Sequence, residues 1–352
     1  MGVPTRKHAY SIPNCYQFQG LPGGHSLREP PDPIPNSEVK TQNADDSAGP
    51  PRAKVGHRQA FLLSPRSARG LFLCPSQEVA RRRMVPMNPT PLDQGRIRQA
   101  LGSMAERYAL EIHGQLASTN DRAAELAQEG YPAGQVVLAE SQTSGRGRRG
   151  KVWQSPAGGN IYLSLLIPEP PRDLVAHVLP LAAAVAFASA LEEYGLAPAL
   201  KWPNDLVTSD GRKFGGILME AIKGKPMYVL GVGLNVAESG DGSQGPEASR
   251  RTCLAALGFA PTDREHLIGR MLEHWAKTWR TLESWGWQPV QSQFLERAWL
   301  VGEQVTLEGE GGRLIGTYAG ISERGCLLLD QGSGPKPYTS GELSLRVAVG
   351  RP

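Results

Sequence analysis

The sequence predicts an α+β fold, in which a mixed sheet with helices is followed by a small β-domain. Between residues 91 and 300, strand-like and helix-like segments alternate incompletely, and several predicted strands are joined by short turns alone. This pattern favours a largely antiparallel sheet with helices on one side. Residues 301–350 contain only short strand-like segments and turn residues, which is typical of a small barrel.

Residues 1–90 are predicted to be disordered, because about half of the 29 prolines lie in or next to this segment and few apolar residues remain to form a core. The segment holds 12 of the 38 Lys and Arg residues but only 6 of the 34 Asp and Glu residues. The rest of the chain is therefore near neutral, which disfavours a broad nucleic-acid surface. No pair of amphipathic helices precedes residue 90, so we expect no DNA-binding domain and no DNA partner.

The cysteine pattern indicates a reducing compartment. The four cysteines are far apart and form no CxxC pair, so we expect neither a zinc site nor another metal centre. The sequence has no apolar run of the ~18–20 residues that a membrane helix needs, and its start does not resemble a secretion signal. We expect a cytoplasmic protein without membrane contact.

Periodicity and breakers predict the individual elements. Ile97, Leu101 and Met104 share one face of a first helix, and Ser118 and Thr119 supply capping side chains for a second. A long alanine-rich segment predicts a buried third helix, and β-branched or alternating runs predict strands. The predicted helices are 92–108, 121–129, 174–194, 263–285 and 289–300. The predicted strands are 109–116, 135–141, 160–167, 199–202, 214–222, 226–235, 304–307, 314–318, 326–329 and 343–346.

The segment most informative about function covers residues 144–153 and reads SGRGRRGKVW. Gly145 and Gly147 let the backbone approach a ligand closely. Arg146, Arg148 and Arg149 offer forked donors that suit phosphate and carboxylate groups. This segment alone leaves open a solvated basic turn and a nucleic-acid patch.

Further motifs follow in a fixed order. They are Ser-Thr-Asn at 118–120, Lys-Trp-Pro-Asn-Asp at 201–205, GRKFGGILME at 211–220 and GVGLNV at 231–236. With the glycine–arginine segment, they resemble the catalytic domain of biotin protein ligases. The resemblance implies a class II aminoacyl-tRNA-synthetase-like and biotin-ligase-like catalytic domain at 91–300 and an SH3-like barrel at 301–350.

The resemblance also implies the activity and its residues. Biotin and ATP, with Mg²⁺, would form biotinyl-5′-AMP, and a lysine of the biotin carboxyl carrier protein of acetyl-CoA carboxylase would accept the biotin. A homodimer is compatible with the family. The implied catalytic residues are Lys213, Arg148 and Asp205. The implied biotin-binding residues are Ser118, Thr119, Asn120, Gln142, Gly145, Arg146, Gly147, Arg148, Lys213 and Gly216, and the implied ATP-binding residues are Arg148, Arg149, Trp153, Asn204 and Asn235.

Side-chain chemistry supports several of these roles. Lys213 could stabilise charge developing on the α-phosphate. Asp205, with Lys201 nearby, could orient the target lysine, although a structural Asp–Lys pair is the alternative. The hydroxyls of Ser118 and Thr119 suit the ureido ring of biotin, although helix capping would also explain them. Gly216 would let the biotin ring pack on bare backbone.

One feature departs from the family, and two rival functions remain. Repressor-type relatives carry a tryptophan in the loop that covers the adenine, whereas residues 238–251 contain none. Arg250 or Arg251 could stack on the adenine instead, and Trp153 could cover the adenine side or pack in the core. The rivals are a lipoate–protein ligase, which uses the same adenylate chemistry, and a basic nucleic-acid-binding protein.

Overall fold

A seven-stranded mixed sheet is the framework of the larger part of the chain. The structure is a computed structural model that describes residues 90–171, 174–237, 250–260, 263–309, 312–339 and 344–347. All of these residues belong to one structural unit, Glu78–Pro352. The predicted disorder of residues 1–90 and the predicted adenine-side loop at residues 238–251 lie almost entirely outside the described residues.

The strand order of this sheet is β1-β2-β3-β7-β6-β5-β4. β1 and β2 are parallel, and the other neighbouring pairs are antiparallel. The prediction of a mixed, largely antiparallel sheet is therefore confirmed. The strands are β1 (Ala109–His113), β2 (Gln135–Ala139), β3 (Ile161–Pro168), β4 (Ala199–Lys201), β5 (Asp205–Val207), β6 (Lys213–Ala221) and β7 (Met227–Leu234).

Helices cover both faces of the sheet, which differs from the prediction of helices on one side. The helices are α1 (Gln94–Leu101), α2 (Thr119–Gln128), α3 (Leu179–Glu192), α4 (Arg264–Trp285) and α5 (Gln288–Arg297). Leu163 and Leu165 of β3 join the main core with α1, α3, α4 and α5. Leu166 points the other way and packs with Leu126 of α2. β3 is therefore apolar on both faces, because side chains alternate along a strand.

Two local predictions fail for identifiable reasons. The first helix ends at Leu101 rather than at residue 108, because Gly102 has a φ of 53° and a short 3₁₀ turn follows. β5 was not predicted, since it is only three residues long and directly follows the turn at Pro203. That omission matters because β5 begins with Asp205.

The C-terminal part forms a five-stranded antiparallel sheet ordered β11-β10-β9-β8-β12. Its strands are β8 (Gln304–Gly309), β9 (Gly312–Ile321), β10 (Leu327–Asp330), β11 (Pro335–Tyr338) and β12 (Ser344–Val347). The predicted small β-domain is confirmed as a sheet, and no pairing between β11 and β12 closes it within the described residues. The prediction missed β11 because it contains two prolines, which are tolerated at this edge position.

Two tryptophans connect the C-terminal sheet to the large one. Trp202 is buried and its Nε1 donates to the carbonyl oxygen of Gly325 at 3.1 Å. Trp299, at the start of the connection to β8, donates its backbone N–H to the carbonyl of Leu200 in β4 at 2.8 Å. The C-terminal sheet is thereby fixed next to β4. No helix in the described part of the chain is both long and apolar enough to span a membrane.

Candidate active site

Three glycines of β6 and β7 carry no side chain on the face that also carries α2, so side chains from elsewhere pack directly against the backbone there. Gly216 and Gly233 lie opposite each other across the two strands. A Cβ atom at Gly233 would overlap the indole of Trp153, and one at Gly231 would overlap the amide of Asn120. On this part of the sheet, the floor, the Trp153 indole and the Asn120 amide therefore lie directly against the backbone.

An open cavity of about 1360 Å³ extends over this floor. Its lining contains residues of the glycine–arginine loop, the strand ends of the large sheet and β8, β9 and β12 of the C-terminal sheet. Most of the predicted site residues line it, namely Ser118, Thr119, Asn120, Gln142, Arg146, Gly147, Arg148, Arg149, Trp153, Asn204, Asp205, Lys213, Gly216 and Asn235. Arg250 and Arg251 also line it.

The three predicted catalytic residues converge at one end of the floor. Nζ of Lys213 donates to Oδ1 of Asp205 at 2.6 Å and lies 5.1 Å from the centre of the Trp153 ring. Nη1 of Arg148 lies 3.4 Å from Oδ1 of Asn204, the residue before Asp205. Burial lowers the pKa of Arg148, and the nearby Asp205 partly offsets this. Two cations and one carboxylate are thus held together in a partly dry setting, where charges interact more strongly than in water.

A chain of hydrogen bonds joins the predicted polar residues at the other end. Gln142 Oε1 accepts from the backbone N–H of Thr119 at 2.8 Å and from its hydroxyl at 3.1 Å. The Ser164 hydroxyl lies 2.8 Å from Thr119 Oγ1 and 2.5 Å from Asn120 Oδ1. Ser118 occupies the N-cap position of α2, but its side chain makes no capping hydrogen bond. Capping alone therefore does not explain Ser118.

The glycine–arginine loop is a tight turn with its own hydrogen bonds. Trp153 N donates to Gly145 O at 2.9 Å, and Gly147 N donates to Lys151 O at 2.7 Å. A Cβ atom at Gly145 would lie 3.1 Å from Nε2 of Gln142 and would overlap Trp153 O. Arg149 is exposed and has a φ of 60°. Glycine is therefore required at 145 by close packing, which the sequence alone did not reveal.

Asn235, directly after β7, joins the end of that strand to β6 and to the segment at residues 250–252. Its backbone N–H donates to Phe214 O at 2.7 Å, and Nδ2 donates to Thr252 O at 3.2 Å. The segment that carries Arg250 and Arg251 is thereby attached to the end of β7. The described residues contain no group of three or more His, Cys, Asp and Glu side chains that could hold a metal ion.

Sequence reasoning missed several residues of this site. Glu220, at the end of β6, accepts from Asn120 Nδ2 at 2.5 Å, and Ser164 belongs to the polar chain described above. Lys201 lies in the cavity lining with its Nζ 5.2 Å from the centre of the Trp299 ring, and burial lowers its pKa to about 8. Arg346 of β12 lines the same cavity. Lys201 and Glu220 both had a sequence signal, since they belong to the motifs at 201–205 and 211–220.

This combination of fold and site defines a protein ligase of the biotin and lipoate class. Residues 114–236 match the Biotin/lipoate A/B protein ligase family, and residues 300–346 match the Biotin protein ligase C terminal domain. The bifunctional ligase/repressor BirA of Bacillus subtilis is 31% identical over 262 residues, which cover 73% of this chain and 80% of that protein. A biotin–[acetyl-CoA-carboxylase] ligase of Mycobacterium tuberculosis is 32% identical over 264 residues, which cover 72% and 95%.

A solved structure agrees with these sequence relationships. The biotin protein ligase from Aquifex aeolicus, in complex with biotin and ATP, aligns with a TM-score of 0.60 and 29% identity. The alignment covers 68% of this chain and 99% of that one. The chain belongs to the biotin protein ligase family. The resemblance inferred from the motifs is confirmed.

Proposed function

We propose that this ligase activates biotin with ATP and transfers it to the biotin carboxyl carrier protein of acetyl-CoA carboxylase. In the first step, a carboxylate oxygen of biotin bonds to the α-phosphorus of ATP and pyrophosphate leaves. In the second step, the amine of a carrier lysine bonds to the carbonyl carbon of biotinyl-5′-AMP, AMP leaves and the amine loses a proton. The names of the Mycobacterium tuberculosis relative and the Aquifex aeolicus complex support these substrates.

The observation that carries the proposal is the position of the Lys213 ammonium beside Gly216, at the edge of the cavity floor. A Cβ atom at Gly216 would lie 3.2 Å from Nζ of Lys213. A biotin carboxylate directed towards Gly216 would lie close to this ammonium, which can hold the carboxylate and stabilise charge on the α-phosphate. Asp205, at 2.6 Å, keeps the ammonium in place and is available to orient the incoming lysine.

The polar end of the floor fits the ureido group of biotin, which has one acceptor and two donors. Ser118, Thr119, Asn120 and Gln142 supply hydroxyl and amide groups of both kinds. Gly145, Arg146 and Gly147 would bring the loop backbone over the ligand, where it helps to exclude water from the adenylate.

We propose that ATP occupies the end of the cavity that contains Arg148 and Lys213. Arg148 and Arg149 would bind phosphate oxygens, and Trp153 would form the wall next to the adenine. Asn204 and Asn235 add neutral polar groups at the strand ends, and Arg250 or Arg251 would stack on the base. ATP would enter as its magnesium complex, because phosphate oxygens and water normally supply most ligands of Mg²⁺.

We propose that the reaction takes place in the cytoplasm, because four widely spaced cysteines without a CxxC pair fit a reducing compartment. We also propose that residues 91–300 form the catalytic domain and residues 301–350 the C-terminal domain, which the two separate sheets support. We predict a homodimer. For residues 1–90 we predict no DNA-binding domain, and hence no DNA partner.

The test is biotin transfer to a purified carrier domain in the presence of MgATP. We expect the wild type to biotinylate the carrier lysine and Lys213→Ala to lose at least about 100-fold in rate. Lys223→Ala, which removes an exposed lysine in the β6–β7 turn, is the matched control and should retain the wild-type rate. Folded wild-type protein that transfers no biotin would contradict the proposal.

A further inference from the structure

The charge of Arg146 is already paired inside the protein. Its Nη1 and Nη2 atoms each donate to a carboxylate oxygen of Asp121 at 2.7 Å, which is the bidentate geometry of a strong arginine–carboxylate pair. Nη2 also lies 3.4 Å from Oε2 of Glu220. The pKa of Arg146 is raised, mainly by its hydrogen bond to Asp121. The guanidinium therefore has two carboxylate partners before any ligand is present.

These two carboxylates belong to different elements of the folded body. Asp121 lies in the first turn of α2, and Glu220 lies near the end of β6. Arg146 lies within the glycine–arginine loop and pairs through its backbone with Val152. The three side chains thus join the loop to a helix and to the sheet that forms the floor.

Glu220 also connects the loop to the floor itself. Its Oε2 accepts from Asn120 Nδ2 at 2.5 Å, and Asn120 Oδ1 accepts from Ser164 at 2.5 Å. The Asn120 amide lies directly over Gly231. A substitution at Glu220 would therefore affect both the position of the loop and the Asn120 amide that lies on the floor.

We propose that Asp121 and Glu220 are positioning residues that hold the Arg146 guanidinium, and that Arg146 fixes the loop over the biotin end of the cavity instead of neutralising the reacting carboxylate or phosphate. Lys213 and Arg148 would neutralise the reacting carboxylate and phosphate instead. This inference rests on the proposed function and deepens it, because it separates the roles of two arginines that the sequence motif treats alike. The backbone of the loop, rather than the Arg146 side chain, then faces biotin.

The first test is steady-state kinetics of Asp121→Asn and Glu220→Gln. We expect the KM for biotin to rise about fivefold or more, with the KM for ATP and kcat changed less than about twofold, because the loss is in binding rather than in the chemical step. Glu220→Gln keeps an acceptor for Asn120 and removes the charge. Asp121→Glu should restore most of the affinity. Glu125→Gln, which removes another exposed ion pair of α2, is the matched control.

The second test is hydrogen exchange of residues 144–153 without ligand. Exchange should accelerate in Asp121→Asn and Glu220→Gln, should match the wild type in Glu125→Gln, and should not accelerate further when Asp121→Asn is added to Arg146→Ala. Exchange and KM values equal to those of Glu125→Gln would overturn the proposal. A fall in kcat for Arg146→Ala with an unchanged KM for biotin would also overturn it. If the wild type transfers no biotin, the proposed function fails, while the exchange result still decides whether the pairing holds the loop.

Discussion

Nζ of Lys213 and Oδ1 of Asp205 lie 2.6 Å apart, although each residue begins a different strand. Asp205 pairs with Lys201 on one side and with Gly216 on the other. The carboxylate therefore lies beside the Lys213 ammonium, for which we propose a role in the first step, on the strand that pairs with Gly216 of the floor. This position makes Asp205 the residue most suited to influence both steps.

Replacing Asp205 by Asn should slow transfer more than activation. The amide preserves the shape of the side chain but can neither balance the charge of Lys213 nor accept a proton from the incoming amine. We expect single-turnover transfer from preformed biotinyl-5′-AMP to fall by about 100-fold or more. Pyrophosphate release in the first step should fall less. If only pyrophosphate release slows, Asp205 acts solely by orienting Lys213.

Adding one methyl group to the floor should displace Trp153. The Cβ atom of Gly233→Ala would overlap the indole, so the tryptophan has to move. We expect kcat/KM to fall by roughly 10–100-fold, since small displacements near reacting groups are costly. Gly114→Ala meets no atom within 4 Å and should behave like the wild type. A fully active Gly233→Ala enzyme would mean that the indole position is not needed.

Lys201 should give the stability of the protein a distinct pH dependence. Burial lowers its pKa to about 8 from an ordinary value of 10.5, while Asp205 opposes this change and Arg346, Lys213 and Arg250 add to it. Between about pH 8 and pH 10.5, the unfolded chain binds more protons at Lys201 than the folded chain does. The contribution of Lys201 to the free energy of unfolding therefore increases as the pH rises from 8 to 10.5.

The measurement is denaturant unfolding of the wild type and Lys201→Met between pH 7 and pH 10.5. The wild type should gain stability relative to the variant across the upper part of this range, with little relative change below about pH 8. Lys223→Met, which removes an exposed lysine, corrects for general effects of losing a charge. A constant difference between the wild type and Lys201→Met would indicate that Lys201 titrates normally.

The sequence predicted the sheet and most of the cavity because both depend on local patterns. Runs such as 226–235 are long and apolar, and the Gly, Arg and Lys motifs are contiguous. The Glu220 contact could not be predicted in this way, since its partner Asn120 lies 100 positions away. Lys213 and Asp205 were both predicted, but their 2.6 Å contact depends on the three-residue strand β5, which is too short to produce a periodic signal.

Arg264 and Glu140 do not line the cavity and form an ion pair at the edge of the core. Nη1 and Nη2 of Arg264 each donate to a carboxylate oxygen of Glu140 at 2.8 Å, and Nη2 also donates to Thr90 O at 2.6 Å. Glu140 Oε1 accepts from the backbone N–H of Leu92 at 2.6 Å. The Arg264 side chain is only 2% exposed. The pair therefore connects the start of α4, the end of β2 and the entry to α1.

Removing the carboxylate should leave a buried cation without its partner. We expect Glu140→Gln to lower the free energy of unfolding by about 3–5 kcal/mol, because breaking one half of a buried pair costs far more than the pair itself contributes. The control is Glu129→Gln, since the Glu129 side chain is 50% exposed and pairs with Arg122. This substitution should lower the free energy of unfolding by less than about 1 kcal/mol. Thermal and denaturant unfolding of the two variants measure this difference. Similar losses in both would mean that water reaches Arg264 and compensates its charge.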